Sequence, residues 1–129
     1  MNKQPKKIHI VDDNSAILDS LEILLKMEGY EVKKFEKGSE LLHNLKLNQS
    51  FPDAVLMDVF INDEDGRDFC RLIKADSHLK IIPVLIMSAN NGLSNSAFEN
   101  GADDFISKPF ELEDILGKMY HFTHNLKYE

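Results

Sequence analysis

The sequence predicts an α/β fold: a doubly wound parallel sheet of five strands with five helices. Three observations predict it. Short apolar runs alternate five times with stretches whose apolar residues recur at three- and four-residue spacing, the mark of helices packing one face inward. The run Ile81–Met87, IIPVLIM, has no polar alternation, as a strand covered on both faces requires. No linker, repeat or low-complexity stretch interrupts the alternation, so strands and helices take turns to the end, which calls for a parallel sheet between two helical layers.

In chain order, Ile8–Val11 is the first strand and ends at Asp12 and Asp13. Ile17, Leu18, Leu21, Leu24 and Leu25 then mark a helix, with Gly29 as its C-terminal stop. Glu31–Phe35 is a second, weaker strand, and Ser39 is placed to cap a helix carrying Leu41, Leu42 and Leu45. Ala54–Met57 is the third strand, ending at Asp58. Gly66 opens a helix expected to turn Phe69, Leu72 and Ile73 inward. The fourth strand, Ile81–Met87, ends at Ser88. Leu93, Ala97 and Phe98 mark a fourth helix closed by Gly101. Phe105–Ile106 is a short fifth strand before Ser107, Lys108 and Pro109. Leu112, Ile115, Leu116, Met119 and Phe122 carry the last helix.

A chain of 129 residues with 43% apolar content suits one domain, read as residues 1–129 with a core of about 6–124. Lys plus Arg is 15 against 22 for Asp plus Glu, a net charge of −7, which disfavours direct nucleic-acid binding. The single cysteine, Cys70, makes no internal disulfide and reads as packing. The apolar run near the N-terminus is too short for a signal peptide or a membrane span, so the expectation is a cytoplasmic protein with no membrane partner.

The positions of the polar residues carry the functional signal. Asp12, Asp13, Asp58, Ser88 and Lys108 all lie at the end of an apolar run, within two residues of it. In a parallel sheet those positions share the carboxyl edge, where doubly wound folds bind ligands. Three carboxylates and one ammonium sum to −2, which a divalent ion would balance. The donors are all oxygens, which favours Mg²⁺, or Mn²⁺, over Zn²⁺. A carboxylate beside such an ion, an amine and a hydroxyl is suited to phosphoryl transfer, with Asp58 as nucleophile.

With IHIVDDN, VLMDVFINDEDG, VLIMSAN and GADDFISKPF in that order, each at a strand end, the whole chain resembles the receiver domain of bacterial two-component response regulators. The resemblance implies strand order 2-1-3-4-5 and an aspartyl-phosphate on Asp58. It implies Mg²⁺ held by Asp13, Asp58 and the backbone carbonyl of Phe60, with Asp12 acting mainly through water. Ser88 and Lys108 would contact the phosphoryl group, and Phe105 matches the family's switch aromatic. Lys108–Pro109 matches a peptide bond that is often cis. Asn62 stands where the family usually has proline, so a rigid loop does not carry over. Phe60 is bulkier than many residues at its position; Phe60 and Asn90 are expected to flank the phosphoryl group and set how fast water attacks it.

The implied function is a signalling module in a phosphorelay. It takes phosphoryl from a histidine kinase or phosphotransfer protein and changes its contacts with a downstream protein. It catalyses only its own phosphorylation and dephosphorylation, as a monomer or a phosphorylation-dependent dimer. No output domain is expected within the chain; the alternative is a receiver from a larger hybrid histidine kinase or multidomain regulator. A dehalogenase-type phosphatase would need a second acid where Phe60 stands, and Asp12 and Asp13 would repel the phosphate of a flavin carrier. A degenerate receiver would lack polar positions that are all present here. Structural roles compete residue by residue: Asp12-Asp13-Asn14 and Ser88-Ala89-Asn90 could cap helices, and Phe105 could be core. His121 and His124 read as surface histidines, Asp63-Glu64-Asp65 as a solvated loop, and Lys3, Lys6 and Lys7 as a frayed start.

Overall fold

The computed structural model describes residues 4–47 and 51–124. Its elements follow the predicted alternation: β1 (Lys7–Val11), α1 (Ser15–Met27), β2 (Glu31–Phe35), α2 (Gly38–Leu47), β3 (Ala54–Asp58), a small hairpin of β4 (Phe60–Ile61) and β5 (Glu64–Asp65), α3 (Gly66–Ala75), β6 (Val84–Ser88), α4 (Ser94–Glu99), β7 (Asp104–Ser107) and α5 (Leu112–Thr123). The main sheet runs β2-β1-β3-β6-β7, all parallel. This is the expected 2-1-3-4-5 order once the hairpin, a separate antiparallel pair, is left out of the count.

Alternation along the strands splits the core into two layers. Ile8 and Ile10 of β1 pack with Leu18, Leu21 and Leu25 of α1 and with Ile115 and Met119 of α5. Val11, Val55 and Met57, on the opposite side, pack with Leu41 and Leu45 of α2, Cys70 and Ile73 of α3 and Ala97 of α4. Both faces of the sheet are thus covered, which is why β3 and β6 are buried along almost their whole length.

Helix ends follow local chemistry. Asn14 caps α1, its Oδ1 accepting the N–H groups of Ala16 and Ile17 at 3.0 and 3.2 Å. Gly29, at φ +94°, and Gly101, at φ +98°, stand just beyond the C-caps of α1 and α4 in the left-handed region that glycine reaches freely.

Several expectations need correction. The fourth strand begins at Val84, not Ile81: Pro83 has no N–H for the ladder, Ile81 is 71% exposed, and of the three residues Ile81–Pro83 only Ile82 is buried. Leu72 and Phe98 are both 47% exposed. On α3 the buried positions are Gly66, Cys70 and Ile73, and Leu72 falls one residue, about 100° of helix, away from that stripe. Leu93 lies in a 3-10 turn (Asn91–Leu93) ahead of α4. Ser39 does not cap α2 but sits within its first turn; Glu64 Oε1 instead accepts the Gly38 N–H at 2.8 Å. Glu64 and Asp65 are therefore half-buried structural residues, not a solvated loop. Lys7 belongs to β1, with its N–H donated to Asp53 Oδ2 at 2.8 Å, whereas Lys3 lies outside the described residues.

Candidate functional site

The sheet register brings the predicted residues to one edge. Strands β1, β3, β6 and β7 end side by side, so Asp12, Asp58, Ser88 and Lys108 emerge as neighbours. Backbone bonds carry this order past the strand ends. The Val59 N–H reaches Met87 O at 3.0 Å, and the Lys108 N–H reaches Ser88 O at 2.9 Å.

Lys108 Nζ lies 2.8 Å from Asp12 Oδ2 and 3.2 Å from Asp58 Oδ1. Asp12, Asp13 and Asp58 each bring one carboxylate oxygen within 4.8 Å of the others. Burial differs sharply across the trio: Asp12 is fully buried, Asp58 partly so, and Asp13 exposed. Asp12 is held on both sides, since its Oδ1 also accepts the Asn14 N–H at 3.0 Å. The Asp58 carboxyl is raised from its ordinary value, first by burial and then by the Asp12 charge, while Lys108 pulls it back. Burial lowers the Lys108 ammonium, but the Asp12 and Asp58 carboxylates outweigh it and the group is held above its usual value.

The donor set fits a hard divalent cation: three carboxylates crowd together, all donors are oxygens, and one lysine leaves two negative charges uncompensated. Ser88 is buried beside this cluster, its Oγ accepting the Asn90 N–H at 3.0 Å. Asn90 turns its own Oδ1 to the Gly92 N–H at 2.9 Å. Phe105 is half-buried against the core layer of α2, α3 and α4. The Lys108–Pro109 peptide is cis.

The loop after Asp58 holds what sequence reasoning missed. Asn62, at φ +56°, donates its N–H to Asp13 Oδ2 at 2.6 Å. Proline could supply neither that conformation nor that donor, so the loop is tied to the acidic cluster by a bond of its own. Asparagine's tolerance of the left-handed region was the available signal. Gly66 is required by crowding: a Cβ there would lie 2.1 Å from Asp58 O. Asp65 caps α3 and grips Arg67 through Nη2–Oδ2 and Nε–Oδ1 contacts of 2.6 and 3.0 Å. The Arg67 fork holds the Asp65 carboxyl below its ordinary value. Phe60, 57% exposed, sits at the rim with the Arg67 guanidinium 5.8 Å from its ring centre. His121 and His124 gather no metal cluster among the described residues; the His124 ring stacks on Tyr120 at 4.2 Å.

The sheet order and this acidic edge define a class, the doubly wound α/β domains with a carboxylate cluster at the carboxyl edge of the sheet, and comparison with known proteins gives the family. The family model described as "Response regulator receiver domain" matches residues 8–120. Response regulator MprA of Mycobacterium sp. (strain KMS) is 35% identical over 117 residues, covering 89% of this chain and 49% of MprA. Among solved structures, a CheY-like receiver domain protein from Methanospirillum hungatei shares 32% identity at a TM-score of 0.81, covering 94% of this chain and 95% of its own. The signal receiver domain of a histidine kinase from Syntrophus aciditrophicus shares 27% at 0.86, covering 96% and 94%. The chain belongs to the response regulator receiver domain family of two-component signalling. It spans about half the length of the curated relatives it matches. Among the described residues, no helix is long and apolar enough to cross a membrane.

Proposed function

We propose that Asp58 accepts a phosphoryl group from the phosphohistidine of a histidine kinase or phosphotransfer protein, and that the modified domain changes its contacts with a downstream protein. One observation carries this reading: the Asp58 carboxylate lies beside the Lys108 ammonium and the Asp12–Asp13 pair on one sheet edge. A carboxylate oxygen of Asp58 attacks phosphorus, an O–P bond forms, and the P–N bond to the donor histidine breaks, the departing nitrogen taking a proton. Lys108 bears on the charge of the transferring group, and the Ser88 hydroxyl donates to one of its oxygens. Asp13, Asp58 and the backbone carbonyl of Phe60 would hold Mg²⁺, with Asp12 acting through water. When bound, the ion supplies charge neutralisation to the acidic cluster and the phosphoryl oxygens. Nothing else is turned over: the domain catalyses its own modification and its reversal.

Incubation with acetyl phosphate and Mg²⁺ should add the mass of one phosphoryl group to the parent and none to Asp58→Asn. A parent that stays unmodified, or an Asp58→Asn variant that is still labelled, would sink the proposal. A second reading concerns context only. In it the same receiver works beside a further module of a longer protein, as the greater length of the curated relatives would suit.

A further inference from the structure

Arg67 stands in the first turn of α3 and engages three residues through one guanidinium. It grips Asp65 at 2.6 and 3.0 Å, donates from Nη1 to Ser96 Oγ of α4 at 3.0 Å, and lies 5.8 Å from the ring centre of Phe60. The fork is largely shielded, with 20% of the Arg67 side chain exposed. Phe60, two residues after Asp58, is by contrast an apolar ring with 57% of its surface open to water. Such a ring has little packing of its own to fix it. A planar guanidinium anchored on two other groups can fix it, because stacking on an aromatic face is directional.

We infer that Arg67 is a positioning residue for phosphoryl lifetime: anchored on Asp65 and on Ser96 of α4, it holds the Phe60 ring where it obstructs water attacking the phosphorylated Asp58. The inference rests on the reading of Asp58 as phosphoacceptor. Arg67 touches no reacting atom and acts through Phe60. Its link to Ser96 ties the rim of the site to α4, so a shift of α4 would be felt at the ring.

The experiment is a double-mutant cycle on the rate of phosphoryl loss, after labelling with acetyl phosphate and Mg²⁺ and removal of the donor. Arg67→Ala should shorten the lifetime about two- to fivefold, the rate equivalent of one partly exposed cation–π contact. In the Phe60→Asn background the same substitution should change nothing. The Asp65 cap survives the change, because it uses the Arg67 backbone N–H at 2.9 Å. Arg67→Met, which keeps the length and helix propensity of the side chain, serves as a second variant. Equal shortening in both backgrounds would assign the effect to charge or to general loosening and overturn the inference. An unchanged or lengthened lifetime in the Phe60 background would overturn it too. A parent that takes no label removes the phosphoacceptor reading itself, whereas a labelled parent without coupling overturns only the role of Arg67.

Discussion

At the scale of single residues, the site is a compromise between charge and fit. Asp58 shares a small space with Asp12 and Asp13, and burial with the Asp12 charge raises its carboxyl above the ordinary value. A group raised in the folded state costs stability once pH exceeds its unfolded pKa, and the whole cost is present above the folded one. Asp58→Asn is therefore expected to stabilise the metal-free protein at pH 7 by about 0.5–2 kcal/mol, read from urea unfolding in EDTA. Adding Mg²⁺ should stabilise the parent more than the variant, since a ligand stabilises only the state that binds it. Gly66 works on fit alone. A Cβ would press on the Asp58 carbonyl oxygen, a backbone atom that cannot rotate away. Gly66→Ala should cost about 1–3 kcal/mol and slow labelling of Asp58, measured as a lower urea midpoint and a lower initial rate.

At the scale of elements, the site is built from helix and strand ends. Asn14 shows how the acidic turn is used: the sequence left all three residues of Asp12-Asp13-Asn14 as possible caps, and only Asn14 takes two helix N–H groups. Asp12 instead faces Lys108, and Asp13 is tied to Asn62. Asn14→Ala should cost about 1 kcal/mol in urea unfolding, while Asn14→Ser should keep most of that stability. The hairpin of β4 and β5 joins this system. Glu64 satisfies the start of α2 and Asp65 the start of α3, so one short loop seats two helices and the rim of the site.

At the scale of the whole molecule, acid sensitivity has a source away from the acidic cluster. His9 is buried on β1 against Phe35, with ring centres 5.3 Å apart, and its Nδ1 has no hydrogen-bond partner among the described residues. Burial, then the charges of Lys33 and Lys7, lower its pKa from 6.5 to about 4. The folded protein keeps His9 neutral while the unfolded chain takes a proton near pH 6.5. Its contribution is therefore complete above pH 6.5 and is lost as pH falls towards 4. The loss should reach about 2 kcal/mol at pH 5, and His9→Leu should remove that part of the slope between pH 7 and 5 in urea unfolding. Carboxylates held low, such as Asp65 and Asp76, contribute stability that fades only at lower pH, as the pH drops through their unfolded value near 3.8 and below.

Much of this was legible in the chain itself. Strands reveal themselves by apolar runs, and a chemical group placed just after a run must appear at a sheet edge whatever the packing details. Asp12, Asp58, Ser88 and Lys108 were therefore readable as a set, from their shared position at strand ends, although each alone could have had a structural role. Leu72, Phe98 and Ile81 were misplaced because an apolar residue near a helix face or just ahead of a strand looks alike in sequence whether it turns in or out. The grip of Arg67 on Ser96, 29 residues away, and of Asn62 on Asp13, 49 residues away, left no local pattern. The sequence by itself determined the alternation of elements and the set of groups delivered to the carboxyl edge, because periodicity and strand ends are local. Only the tertiary structure decided which acids pair with Lys108, which residue caps α1 and which cation lies beside Phe60, because those depend on distances the sequence does not contain.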